Sequence, residues 1–493
     1  MTALDLAVIV LYFALTLGLG LRLSRRQRTA SDYFLGAGNL PAWSVLLSVV
    51  ATETSALTVI SIPGIGARGD LTFLQIALGY VVGRIGVAMW LLPGYFEGEG
   101  GGEQLTAYAR LEHRFGVTTR RAISTVFLST RFLADGVRIF AGAIPLALVT
   151  GWNIPTAIVV MGIATLIYTL IGGLKAVVWA DVVQLTIYTA GGLLALFIAW
   201  RLAGGPAQAL ELAREAGKLR VFDFQVNLTT TYTFLGGLVG GALLSAASHG
   251  TDQLIVQRLL ATGSLPKART ALVGSGVLVL LQFLLFLLVG SAIWAAGLAP
   301  EGRASDEIFA QFIVDHLPSG VAGLLVAGIL AAAMSTLSSS INAMASSVTL
   351  DLYATRRPEA SPEALLRAGR WFSAGWAMAL IGGALAFYAA ATMDTPVVVL
   401  ALSIASITYG GLLGTYVLAE KWPRARGRDV IAGVTVSVLV MLVVVFASRL
   451  APDADSWLAF VGRLAWPWYV PLGTVLTVVG GVGASYLPQR GSP

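Results

Sequence analysis

Polar side chains recur at helical spacing in one apolar stretch of the second half of the chain. The stretch 317–350 has no charged residue and is long enough to cross a bilayer. Its polar residues follow one another every three or four positions, at Ser335, Ser338, Ser339, Asn342, Ser346 and Thr349. On a helix they form one stripe, which must avoid lipid because unpaired polar groups in hydrocarbon are costly. Two interpretations stay open: bonding between packed helices, or a dehydrated site for a small cation, since hard cations prefer clustered oxygen atoms.

A carboxylate and an amide stand in two other apolar stretches. Glu53 is the only acid in the stretch 41–66, and an ionisable group inside a membrane span is a functional hypothesis by default. It is suited to accept hydrogen bonds from a polar substrate or to carry a proton, and the alternative is a structural pair with a neighbouring helix. Gln75 is suited to contact a substrate through its amide, or to bridge two helices.

Three charges share one helical face further along. Arg131, Asp135 and Arg138 are spaced i, i+4 and i+7, so they lie together on a helix. They are able to neutralise one another in part, and one positive charge remains. A buried arginine without a partner suits a carboxylate, so the group hints at an anionic or zwitterionic substrate.

Asp181 follows a glycine pair at the predicted start of another span. Helix capping explains such an acid, and so does a sodium ion that enters or leaves the membrane there.

The composition defines the class of protein. Of 493 residues, 56% are hydrophobic and 12% are charged, with a mean hydropathy of +0.80. A soluble domain carries about 25% charged residues. The chain is therefore predicted to be an all-α polytopic membrane protein. It has no cysteine and three scattered histidines, which excludes thiol catalysis and argues against a histidine metal centre. The net charge of +6 comes from arginines in short loops, so nucleic acid is not an expected partner.

Hydropathy predicts about thirteen spans in a single transmembrane domain over 1–493. No loop is long enough to bury a soluble core. The predicted spans are 3–21, 41–66, 71–95, 121–149, 154–172, 178–200, 231–257, 268–297, 318–350, 369–391, 395–419, 428–448 and 466–487.

Basic residues follow the odd-numbered spans, which predicts the orientation. Examples are the groups Arg110–Arg121, Arg258–Arg269 and Arg356–Arg370. Because positive charge stays in the cytoplasm, the N-terminus is predicted outside and the C-terminus inside, in the inner (plasma) membrane. The segment 201–230 carries both signs and is predicted to include an external amphipathic piece. No obligate protein partner is evident.

Two predicted spans are interrupted. The second contains 51–55 and then Pro63-Gly64, and the seventh contains paired glycines followed by the polar segment 245–252. These spans stand five apart, as they would if each opened one half of a five-plus-five inverted repeat. Paired broken helices mark the midplane site of many transporters, although glycine and proline are also common in ordinary membrane helices.

These motifs resemble the sodium/solute symporter family, which includes sodium-coupled sugar, proline, sialic acid and monocarboxylate carriers. The matching segments are 172–184 (GGLKAVVWADVVQ), 252–258 (DQLIVQR) and 334–339 (MSTLSS), in the family's order. The resemblance implies a leucine-transporter-type core, with repeats at about 41–200 and 231–419. It also implies one extra helix before the core, at about 3–21, and two after it, at about 428–448 and 466–487.

The resemblance also implies the cation ligands. A sodium ion would bind the backbone carbonyls of Ala51, Thr54 and Ala332 and the hydroxyls of Ser335 and Thr336. Some members have a second, more cytoplasmic sodium site. Its pattern is matched here by Asp181, Ser335, Ser338 and Ser339.

Substrate positions vary more within the family. Matching places are Glu53, Ser55, Thr58, Gln75, Ser248 and Asp252. The sugar carriers' pattern at the first break is absent, which argues against a hexose. Arg131 or Arg138 would take the carboxylate-binding part found in some acid-transporting members.

The sequence thus predicts a sodium-coupled importer of a small organic solute (a carboxylate, amino acid or sugar-like compound) that works by alternating access. The alternative is a proton-coupled symporter that uses Glu53 or Asp181. An intramembrane enzyme or sensor is the third interpretation. It lacks a recognisable nucleophile with its base, and it lacks a soluble output domain.

Overall fold

The computed structural model describes residues 2–23, 27–96, 105–302, 304–390, 397–450 and 456–488. Within these ranges the chain is helical and contains no β-strand. The helices of the first half are α1 (Ala3–Leu23), α2 (Ala30–Leu35), α3 (Ala42–Glu53), α4 (Ala56–Arg68), α5 (Leu74–Trp90), α6 (Pro93–Phe96), α7 (Ala109–Phe115), α8 (Val117–Thr150), α9 (Ile154–Leu202) and α10 (Pro206–Glu215). Those of the second half are α11 (Gly241–Gly250), α12 (Gln253–Leu260), α13 (Leu265–Ala295), α14 (Ser305–His316), α15 (Val321–Ser347), α16 (Pro362–Ala390), α17 (Val397–Lys421), α18 (Gly427–Leu450), α19 (Trp457–Gly462) and α20 (Tyr469–Ser485).

Long apolar helices confirm a polytopic membrane protein. Six described helices are long and apolar enough to cross a membrane, and the bent pair α3–α4 adds a seventh when it is counted as one span. Helices α1 and α5 contain shorter apolar segments. The count of thirteen spans stays a prediction.

The break predicted in the second span lies between α3 and α4. Their axes differ by 65°, and Thr54 and Ser55 join them in extended conformation. The break predicted in the seventh span lies between α11 and α12, at Thr251 and Asp252. A π-helical turn at Gly236–Gly240 precedes α11. Both interruptions therefore occur within the polar segments that predicted them.

The predicted fifth and sixth spans are the two helical parts of α9, which meet directly at Gly173, where the backbone is not helical. Gly173 has φ 57° and ψ −162° at the kink. A Cβ atom there would lie 2.6 Å from the carbonyl oxygen of Tyr33, so both the conformation and the close approach require glycine. The glycine pair that interrupts the apolar pattern thus lies where the two predicted spans separate.

Helix α15 is at the centre of the molecule. Within its most apolar stretch 89% of residues are buried, and it packs against α8, α9, α1 and α16. Its polar stripe is buried with the rest of the helix. Helices α3, α4 and α12, which flank the two breaks, also contact α15.

The predicted amphipathic piece is present as α10 and the extended segment that follows. The ammonium of Lys218 donates to the carbonyl oxygens of Ala67 (2.7 Å) and Gly69 (2.9 Å) at the end of α4. Burial lowers the pKa of Lys218. These bonds hold the segment against the C-terminal end of α4.

Candidate functional site

The predicted sodium ligands lie on two elements that contact each other, α3 with its C-cap and α15. Ala51 belongs to the last turn of α3 and Thr54 is its C-cap, so their carbonyl groups have no partner farther along that helix. The hydroxyl groups of Thr52 and Ser339 hydrogen-bond across the two elements at 3.2 Å. The residues of the predicted ligand set are all buried, at Ala51, Thr54, Ala332, Ser335 and Thr336.

The hydroxyl groups of this ligand set direct their protons away from one another. Ser335 donates to a carboxylate oxygen of Asp181 (2.6 Å), and Thr336 donates to the carbonyl of Ala332 (3.2 Å). Each hydroxyl oxygen therefore keeps a lone pair for a cation. Within the described ranges, no cluster of three His, Cys, Asp or Glu side chains is suited to a metal. An arrangement of neutral oxygen atoms favours a hard monovalent ion over a transition metal.

The residues predicted for a second ion surround a buried arginine. Asp181 accepts from Ser48 (2.5 Å), from Ser335 and from Nη2 of Arg258 (3.3 Å). The same guanidinium donates to the hydroxyl of Ser339, and Ser338 donates to the carbonyl of Ser335 (3.0 Å). The assignment of Arg258 to a cytoplasmic loop was wrong, because its side chain is fully buried. The capping role considered for Asp181 is also wrong, since Asp181 lies within α9.

A compact cavity of about 110 Å³ lies between the two breaks and α8. It is lined by most of the predicted solute residues, at Glu53, Ser55, Thr58, Arg131, Arg138 and Ser248. Aromatic side chains form much of its remaining wall, at Phe73, Tyr80, Tyr232, Phe283, Tyr409 and Trp466. The cavity therefore offers both hydrogen-bonding groups and apolar surface to a small solute.

The carboxylate of Glu53 lies beside side chains of two other helices. It forms an ion pair with Arg84 of α5, and Nε2 of His249 is 3.5 Å from one of its carboxylate oxygens. Nδ1 of His249 is 2.8 Å from the hydroxyl of Ser248. The sequence interpretation missed Arg84, although an arginine within the apolar stretch 71–95 was a signal for a buried pair.

Four charges lie together on α8 and the second break. Arg131 donates to Asp252 (2.5 Å), which also accepts from the hydroxyl of Tyr409 (2.9 Å). Arg138 donates to Asp135 (3.1 Å). The expectation of one positive charge left over on α8 was wrong, because Asp252 balances Arg131.

Arg138 keeps donors for a ligand. Its side chain is 18% exposed, whereas that of Arg131 is 4% exposed. Among the described residues, Arg138 forms an ion pair only with Asp135. Its guanidinium is therefore the group of the cavity that is best placed to receive an anion.

Two predicted solute residues lie outside the cavity wall. The amide nitrogen of Gln75 donates to the carbonyls of Thr72 (3.0 Å) and Tyr232 (3.1 Å), and its oxygen accepts from the backbone of Asp223 (3.0 Å). Gln75 thus ties α5 to the segment between α10 and α11. Asp252 is fully buried and caps α12 through the backbone of Leu254 (2.9 Å).

The broken helices, the buried polar stripe of α15 and the cavity between the two breaks are features of a membrane transport protein. The family model of the sodium:solute symporter family matches residues 33–445. The chain belongs to this family, and Na⁺ is the ion that it transports together with its solute.

Named relatives match nearly the whole chain. It is 31% identical to the sodium/iodide cotransporter of Homo sapiens, over 92% of this chain and 71% of that protein. It is 27% identical to the sodium/sialic acid symporter of Aliivibrio fischeri, over 95% and 90% of the two chains. A solved Na⁺-coupled sialic acid symporter in a substrate-bound, outward-open state aligns with a TM-score of 0.84 and 26% identity, over 98% of each chain.

Proposed function

We propose that this protein imports a small organic carboxylate together with Na⁺ across the plasma membrane. Partly exposed Arg138 in the aromatic-walled cavity is the observation that carries the choice of solute. Iodide and sialic acid, named for two relatives, are both anions. The absence of the sugar carriers' pattern at 52–58 also argues against a hexose.

The proposed sodium site is the group Ala51, Thr54, Ala332, Ser335 and Thr336. An ion there would hold the first break against α15 and favour the outward-open state. Its release to the cytoplasm would loosen that contact. The difference in ion affinity between the two states would couple sodium to solute movement.

A second ion beside Asp181, Ser338 and Ser339 is part of the proposal. The guanidinium of Arg258 already contacts Asp181 and Ser339, so a second sodium ion would have to share this carboxylate with it. This arrangement favours weaker binding at the second site than at the first, because a neighbouring positive charge repels the ion.

The number of spans, their repeat organisation and their orientation are proposed from the membership of the family. We infer one transporter domain with thirteen spans, five-plus-five inverted repeats and extra helices at both ends. The N-terminus would be outside, and the cavity would open on that side through the end of α4 and Tyr232. The protein would be a carrier and not an enzyme. Nothing in the comparisons supports the proton-coupled alternative.

The test is the thermal stability of the detergent-purified protein in Na⁺, K⁺ or choline at matched ionic strength. A sodium-specific increase is expected, because a ligand that binds only the folded state stabilises it. Choline salts of acetate, pyruvate and benzoate are then added to the sodium sample, and a further increase is expected. The same carboxylates should enter proteoliposomes only with an inward sodium gradient.

Ser335→Ala combined with Thr336→Ala should abolish the sodium-specific increase. Thr336→Ser, which keeps the hydroxyl, is the matched control and should retain it. Unchanged sodium stimulation in the double variant would overturn the site assignment. Uptake that follows pH and ignores sodium would overturn sodium coupling.

A further inference from the structure

Asp135 joins the arginine of the solute cavity to the central helix. One carboxylate oxygen accepts from Arg138 (3.1 Å) on the next turn of α8. The other accepts from the hydroxyl of Ser340 on α15 at 2.5 Å. Asp135 and Ser340 are both fully buried, so water does not compete for either bond. A hydrogen bond to a charged group in such surroundings is among the stronger ones.

The α15 end of this connection lies next to the proposed sodium site. Ser340 follows Thr336 by four residues, so the two side chains share one face of the helix. Thr336 is one of the two proposed hydroxyl ligands of the ion. A shift of α15 at Ser340 therefore also shifts the sodium ligands one turn away.

The charge balance makes the connection responsive to the solute. Arg131, Arg138, Asp135 and Asp252 sum to zero before a solute binds. A solute carboxylate on Arg138 would share that guanidinium with Asp135. Asp135 would then be less neutralised, since Nη1 of Arg131 is farther away at 3.6 Å. The hydrogen bond from Ser340 would then contribute most to stabilising the negative charge of Asp135. As a result, α15 would be held more firmly against α8.

We propose that Asp135 and Ser340 couple solute binding to sodium binding, with Arg138 as the solute contact. The inference rests on the proposed carboxylate site and deepens it. Asp135 and Ser340 are positioning residues, which contact neither solute nor ion. Since coupling between two sites is reciprocal, solute should raise the affinity for sodium by the same factor as sodium raises the affinity for solute.

The experiment measures this factor directly. Sodium replaces choline at constant ionic strength, and the half-saturating sodium concentration is read from thermal stability with and without pyruvate or benzoate. In the wild type the carboxylate should lower this concentration roughly tenfold, within the range typical of coupled sites. In Ser340→Ala the factor should fall below about twofold, while sodium affinity without solute stays close to that of the wild type.

Ser346→Ala is the matched control, because Ser346 is also buried on α15 but bonds Gln253 of α12 (3.2 Å). It should keep the wild-type factor. Asp135→Asn keeps the shape of the side chain and removes its charge. In this variant, as in Ser340→Ala, the carboxylate should no longer lower the half-saturating sodium concentration by more than about twofold.

Wild-type coupling in both Ser340→Ala and Asp135→Asn would overturn the proposed connection alone. An equal loss of coupling in Ser346→Ala would also overturn it, because the loss would then result from any disturbance of α15 packing. A wild-type protein that responds to sodium but to neither carboxylate would overturn the proposed solute class and this inference with it.

Discussion

The break between α3 and α4 and the break between α11 and α12 each interrupt a helix for two residues and both contact α15. Their side chains differ. Near the first break, Thr54 donates its hydroxyl proton to Gln282 (2.7 Å), and the hydroxyl of Thr52 hydrogen-bonds that of Ser339 on α15 (3.2 Å). At the second, the carboxylate of Asp252 accepts from Arg131, from Tyr409 and from its own helix.

The difference suggests two uses for the same backbone feature. At the first break, the proposed sodium site would use lone pairs of backbone carbonyls and hydroxyls, while the neighbouring carboxylate of Glu53 is paired with Arg84. At the second break, charges within the protein already compensate one another, so the interruption is held closed by the chain itself. An interrupted helix therefore does not mark an ion site unless its neighbours leave oxygen atoms unpaired.

The largest effect is expected at the second break. Arg131→Leu would leave Asp252 buried without its main partner, and the loss of stability should be about 3–5 kcal/mol. Combining it with Asp252→Asn removes both charges and keeps the cap of α12, so much of this loss should be recovered. Thermal unfolding in detergent measures both. Equal losses in the single and the double variant would show that the ion pair is not what stabilises this break.

An intermediate effect is expected at the first break. Thr54→Val removes the hydroxyl but keeps the backbone carbonyl, and it leaves the amide oxygen of Gln282 buried without a donor. Stability should fall by about 1–3 kcal/mol. The sodium-specific increase in stability should persist, because the proposed ligand is the carbonyl group. Loss of that increase would mean that the Thr54 side chain itself is needed for the ion.

The smallest effect is expected between the first break and α15. Thr52→Val removes the hydrogen bond to Ser339, and the loss of stability should be about 0.5–1.5 kcal/mol. Ser339 keeps its contact with Arg258 in this variant. A loss as large as that of Arg131→Leu would contradict the comparison, since the first break would then depend on one side-chain contact as strongly as the second does.

Local patterns predicted a helical membrane protein and both breaks. The polar segments 51–55 and 245–252 stand inside apolar runs, and the structure interrupts the helices there. The spacing of Ser335, Ser339 and Asn342 predicted the buried stripe of α15. These features depend on residues close together in the chain, so one sequence is sufficient to find them.

Partners far apart in the sequence were not predictable in the same way. Asp181 and Arg258 are 77 residues apart, and Arg131 and Asp252 are 121 residues apart. The spacing of residues alone does not distinguish an arginine that lies in a loop from one whose side chain is buried in the core. The sequence therefore predicted Arg258 in a loop and Asp252 among the solute residues. The structure buries Arg258 and pairs Asp252 with Arg131.

The central position of α15 has a consequence for biosynthesis. A span that emerges with a stripe of hydroxyl groups is poorly suited to stay in lipid. Most of its partners, α1, α3, α8, α9 and α12, precede it in the chain and are made first. The helix can therefore move from the insertion machinery directly into a cleft that earlier helices have lined with polar groups. Moving the α15 segment to the start of the chain by circular permutation should accordingly impair assembly more than cutting the chain after α15.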